Sequence, residues 1–375
     1  MNTDIARNTA TLTQAPATRT GSRLLSLDVM RGMTIVGMIV VNNAGGPQSY
    51  DFLRHSVWNG LTPCDLVFPF FLFIMGVTTY LSLSKNNFAA GAATVRKILR
   101  RAVLIILIGW AIHWVELACK GNPLGFDTLR LTGVLPRIGL CFGLTSLFAL
   151  WLGPKRMPWI AGGLLVVYTV LVCAFNGYAQ DETNFNAIVD RFLAGASHLY
   201  HKSPVDPEGI ASTIPALAHT MIGFCCGAII KSRSPLSERI ARLSAVGFMI
   251  LAGGFLLSEW LPLNKRIWSP TFALATAGLA ALLLATLIYA IDMRDKRRWC
   301  TFFESFGVNP LFLYVLGELG SIAMSRSGAK KAVYECLSAW IPDPYVASAV
   351  YAVGFMLVLG AIGWPLYRRR IYIKI

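Results

Sequence analysis

Ten stretches of this chain stay apolar for about twenty residues, the length a helix needs to cross the hydrocarbon of a bilayer. They fall at 28–45, 65–84, 99–118, 132–152, 158–176, 211–230, 241–260, 270–291, 302–323 and 345–367. Composition agrees, with 55% hydrophobic and 14% charged residues and a mean hydropathy of +0.56, outside the range of soluble domains. The expected fold is therefore all-α: a polytopic transmembrane helix bundle of ten or eleven spans, forming one domain over residues 23–375. Residues 1–22, rich in Thr and Ala and without the apolar core of a signal peptide, read as a disordered cytoplasmic tail.

The formal net charge is +15, which in another chain would suggest nucleic acid. Here most Lys and Arg fall in alternate connections, in runs such as Arg96–Lys97–Arg100–Arg101, Arg294–Arg298 and Arg368–Arg370. That is the asymmetry expected when basic loops stay on the cytoplasmic side, so topology accounts for the charge with both termini inside, and no nucleic-acid partner is expected. The eight cysteines show no paired CxxC spacing. His198 and His201 lack a third ligand, so no metal is expected.

Against this apolar background, residues 23–80 carry Asp28, Arg31, Asn42, Asn43, His55, Asn59 and Asp65. Ionisable groups in or beside a span mark functional sites by default. Asp28 and Arg31, three apart, are expected to form a structural ion pair on one helix face. Thr62, Pro63 and Asp65 fit the first turn of the second helix, Asp65 complementing its dipole. His55 can take up and return a proton near neutral pH, and an amide from Asn42 or Asn43 suits a developing oxyanion. Those two functions together describe acyl transfer.

The segments SLDVMRG, VNNAGG and HSVWNGLTPCDLVFPFFLFIMGV resemble the heparan-α-glucosaminide N-acetyltransferase family and its bacterial NagX-like branch. LRLTGVLPRIGL at 129–140, DPEG at 206–209, NKRIWSPTFAL at 264–274 and FGVNPLFLYVLGEL at 306–319 resemble further family segments in the same order. The loop between Asn42 and His55 is slightly longer than the family pattern, with Asn43 and Ala44 at positions where that pattern has an aromatic residue and Gly.

The resemblance implies an enzyme of the bacterial inner membrane that moves acetyl from cytoplasmic acetyl-CoA to the amino group of a terminal glucosamine, or a related glycan acceptor, on the far side. It makes His55 the catalytic histidine and Asn42 its partner. His55 then acts as general base, or as the carrier of an acetyl-histidine intermediate. The donor's phosphates need cations, for which Arg31, Arg96, Lys97, Arg100, Arg101 and Arg137 are candidates, with Asn309, Glu318, His113 and Glu116 lining the passage. Asn43, Trp58, Asn59, Asp65 and Glu208 are the candidates for acceptor contacts, Glu208 being the preferred carboxylate for a protonated amine. An amino-sugar permease and a polysaccharide O-acetyltransferase are the rival readings, and a homodimer is left open.

Overall fold

A computed structural model describes residues 24–201 and 203–373. The N-terminal tail expected over 1–22 lies outside the described residues, as do Arg23, Lys202 and Lys374. Nine helical segments among the described residues are long and apolar enough to cross a membrane. They are built on α1 (Leu25–Asn42), α2 (Val67–Leu83), α3 (Ala92–Cys119), α4 (Val134–Trp151), α5 (Met157–Ala174), α7 (Thr213–Lys231), α8 (Leu236–Leu257), α9 (Pro270–Leu287) and α13 (Pro344–Arg368). The 3-10 turn Pro63–Leu66 leads into α2, and the π-helical turn Ile288–Met293 extends α9. Two short amphipathic helices, α6 (Phe185–Ala194) and α12 (Ala329–Trp340), lie in connections between the apolar stretches.

The stretch expected to span at 302–323 is not one straight helix. It forms α10 (Cys300–Val308) and α11 (Pro310–Arg326), bent by 81°, and counting the pair as one span gives ten. The cause is Pro310, which lacks an amide hydrogen and pushes the residue before it out of the helical region. Asn309 sits at φ −124°, ψ 58°. Its side chain then fastens the C-terminal segment, donating to the Ile371 carbonyl at 2.8 Å and accepting from the Ile373 amide at 2.9 Å.

Glycines set the closest helix pairs, because lipid offers no hydrophobic drive between helices and close backbone packing must supply the attraction. A β-carbon on Gly32 of α1 would collide with the Phe303 carbonyl of α10, and one on Gly307 with the Asp28 carbonyl. The same reciprocal fit joins α2 and α7, Gly76 against Thr220 and Gly223 against Phe73. Large apolar side chains such as Leu72, Phe73, Phe224 and Phe272 fill the centre between these pairs.

Alternation of the spans gathers the C-terminus of α1, the 43–62 loop, the start of α2 and the 258–269 connection at one end of the bundle. The starts of α1 and α3 lie at the other. These two ends hold the two polar sites described next.

Candidate functional site

The start of α2 is built as its sequence suggests: one oxygen of Asp65, Oδ2, accepts from the Thr62 amide at 3.1 Å and the Thr62 hydroxyl at 3.0 Å. It also accepts from the Ser56 amide at 3.1 Å. The other oxygen, Oδ1, stands 2.8 Å from His55 Nδ1. A single fully buried carboxylate thus caps the helix and anchors the loop that carries the histidine. Because a carboxylate only accepts, the ring proton belongs on Nδ1 and the lone pair on Nε2.

Lys265, from the connection between α8 and α9, completes the cluster. Its Nζ lies 2.9 Å from Nδ1 and 3.2 Å from Nε2 of His55, and 3.5 Å from Asp65 Oδ1. Its side chain is 12% exposed, against 48% for His55. Cys64 brings its sulfur to 3.0 Å from Nδ1 from the buried side. The lysine is locked in place because its connection is sutured onto the histidine loop. Asn59 and Asn264 form a β-bridge and a side-chain hydrogen bond of 3.1 Å, Gly60 donates to the Leu263 carbonyl at 2.8 Å, and Arg266 donates to the Val57 carbonyl at 3.2 Å.

Asn42 lies at the same end of the bundle but is not hydrogen-bonded to His55. It ends α1 exposed, its amide 3.5 Å from Glu318 Oε1 on α11. Asn43 is buried and donates back to the Ile39 carbonyl at 2.8 Å, closing the helix. Trp58 is likewise buried, its indole donating to the Tyr178 carbonyl at 3.1 Å. Asn59 faces Asn264. These three hold the loop.

Glu208 does not stand free for an amine. It pairs with Arg130 at 2.8 Å, and Asp206 pairs with the same guanidinium at 2.6 Å. The two carboxylates raise the Arg130 pKa against its burial, and Arg130 lowers that of Asp206. Arg137, almost fully buried, donates to the Pro207 and Gly209 carbonyls at 3.0 and 2.8 Å and to the Ser212 hydroxyl. This guanidinium pins the 207–212 loop at the His55 end, away from the starts of α1 and α3. Beside it, Asp190 of α6 accepts from the Ala211 amide at 2.9 Å, and burial raises its pKa to about 6. His113 binds the Arg130 carbonyl and Glu116 pairs with Lys120.

At the opposite end Asp28 and Arg31 pair at 3.0 Å, and Arg31 also donates to the Gly307 carbonyl at 3.2 Å. Helix α3 begins seven residues before its expected apolar start, so its four cations lie on the helix and are divided by its period. Arg96 and Arg100 share an open groove of about 670 Å³ with Val95, Leu99 and Val103. Arg101 lies over the Phe142 ring at 4.8 Å, within electrostatic reach of Arg31; Lys97 precedes it by one turn. The Asn309 side chain is engaged by the C-terminal segment at Ile371 and Ile373. No group of three or more His, Cys, Asp or Glu residues able to hold a metal occurs among the described residues.

The fold and these two sites define a polytopic helical membrane protein with an Asp–His–Lys cluster at one end of its bundle and, at the other, the Asp28–Arg31 pair within electrostatic reach of Arg101. The chain belongs to the family described as heparan-alpha-glucosaminide N-acetyltransferase, catalytic, whose model matches residues 23–253. It is 29% identical over 365 residues to the heparan-alpha-glucosaminide N-acetyltransferase of Mus musculus, covering 81% of this chain and 55% of that protein. It is also 29% identical over 356 residues to the Homo sapiens protein of the same name, covering 79% of this chain and 53% of that one. The chain thus spans about half the length of these relatives.

Lys265 was missed as a site residue because it lies 210 positions from His55 and counts, in sequence, as one more loop cation. The signal was present in NKRIWS, whose Asn and Ser side chains build the turn that presents the lysine. Asn264 Oδ1 accepts from the Ile267 amide at 3.1 Å, and Ser269 Oγ from the Asn264 amide at 3.0 Å.

Proposed function

We propose that this protein transfers acetyl from acetyl-CoA, entering from the cytoplasmic side, to the amino group of a glucosamine at the far face of the inner membrane. The observation that carries this reading is the His55 ring held by buried Asp65 with its Nε2 lone pair directed away from the carboxylate. Family membership supports the reaction class, and the names of the relatives support the amino sugar.

In this scheme the acceptor amine attacks the thioester carbon while His55 Nε2 removes a proton from the nitrogen. Asp65 fixes the tautomer and stabilises the imidazolium that forms, the arrangement by which general-base histidines work. Asn42 presents an amide hydrogen to the tetrahedral oxygen, and Glu318 orients that amide. Arg31 and Arg101 hold the donor's phosphates. Arg31, though paired with Asp28, acts electrostatically on Arg101, and a bound polyanion relieves the repulsion between the two cations.

The test uses purified protein with radiolabelled acetyl-CoA, with and without glucosamine, following free thiol and labelled sugar. The expected outcome is thiol release that depends on glucosamine and disappears in His55→Ala. Label retained on the wild-type protein without acceptor points instead to acetyl-histidine. If wild type neither consumes nor binds acetyl-CoA, the acetyltransferase reading fails and the permease reading replaces it.

A further inference from the structure

Lys265 occupies a place that a neutralising counter-ion for Asp65 would not need. Asp65 Oδ2 already receives three donors and Oδ1 receives the imidazole, while the lysine stands at 3.5 Å from the carboxylate and closer to both ring nitrogens. With the ring proton on Nδ1, only Nε2 can accept from the ammonium. The base of the proposed reaction therefore rests against an acid, 3.2 Å away and largely shielded from water.

We propose that Lys265 is a second catalytic residue, the general acid that protonates the departing CoA sulfur. This rests on His55 acting as the base. As the thioester enters, the Lys265 ammonium turns from Nε2 to the sulfur and frees the lone pair; the amine nitrogen bonds to the carbonyl carbon and its proton passes to His55 Nε2, giving an imidazolium. The carbon–sulfur bond then breaks, and the sulfur takes a proton from the Lys265 ammonium, leaving a neutral amine. The imidazolium returns its proton to that amine across the same short contact, restoring both groups. Atoms and charge balance without any third reactant: amine and thioester enter, amide and thiol leave. The suture between the 57–60 and 261–269 segments holds the two residues within transfer distance of one another.

The experiment compares two donors in the full-length protein: acetyl-CoA, whose alkyl thiolate needs a proton to leave well, and the acetyl thioester of 4-nitrothiophenol, whose acidic thiol leaves unaided. Lys265→Met is expected to lose roughly 100-fold in turnover with acetyl-CoA, the scale of general acid catalysis, and to stay within a few-fold of wild type with the aromatic donor. Equal losses with both donors would assign Lys265 to positioning alone, and no loss with either would remove it from the chemistry; each result overturns the proposal. Lys265→Arg keeps the charge but holds its proton, so it too is expected to fail with acetyl-CoA, whereas restored turnover would overturn the acid role even if the Met variant does not fold. His55→Ala is run beside them. Wild-type activity there would defeat the underlying reading of His55, independently of what the lysine variants do.

Discussion

Asp65 meets His55 Nδ1 at 2.8 Å with one oxygen while its other oxygen holds the 3-10 turn that leads into α2 and the backbone of Ser56. The capping reading of this aspartate and the catalytic one are thus both satisfied by one side chain. A carboxylate at the third position of a capping box, with Thr62 as the N-cap, is fixed by several donors at once, which makes it a rigid support for an imidazole.

Asp65→Asn separates these functions. The amide oxygen can keep a cap, but an amide nitrogen facing Nδ1 favours the wrong tautomer. Turnover is expected to fall by roughly 100-fold or more, with acetyl-CoA binding nearly unchanged. Calorimetric titration of acetyl-CoA beside a turnover assay checks this, and a loss of binding equal to the loss of rate would sink it.

The split of the α3 cations predicts unequal roles at the donor site. Arg101→Met is expected to raise KM for acetyl-CoA about tenfold, the loss of one charge-assisted contact, with kcat little changed. Arg96→Met, on the other face of the helix, is expected to leave both constants near wild type. Saturation curves for the two variants decide, and equal effects would disprove the assignment.

Asp190 predicts a pH dependence of stability. Its folded pKa of about 6 lies above the ordinary 3.8, so the folded state binds the extra proton between these values. Stability from this group is full below about pH 4, falls as pH rises to about 6 and is flat above. Asp190→Asn is expected to match wild type at pH 4 and to melt higher at pH 8. Thermal midpoints in detergent across that range test it, and a variant that melts lower at pH 8 would refute it.

Gly307→Ala would drive a methyl into the Asp28 carbonyl. Overpacking of this kind costs about 1–3 kcal/mol or more, and separating α1 from α10 also disturbs the Arg31 contact with the Gly307 carbonyl. A lower melting temperature and a weaker acetyl-CoA affinity are expected together. Unchanged melting would show that the helices can part without cost.

Sequence determined the spans and the cap by itself. Hydropathy placed nine of the ten apolar segments to within a few residues at most ends, because a backbone surrounded by lipid must satisfy its own hydrogen bonds as helix. Thr62, Pro63 and Asp65 form a turn out of neighbouring atoms, so local order was enough to read it. The tertiary fold decided the rest: that Lys265 reaches His55 from 210 residues away, that Arg130 occupies Glu208, that Arg137 clamps a loop, and that Arg101 parts from Arg96 and Arg100 to approach Arg31. The physical reason is that a charged side chain carries no sign in sequence of which partner it will meet. In an apolar bundle that partner is chosen by which helix ends are brought together, and the chain's order does not say so.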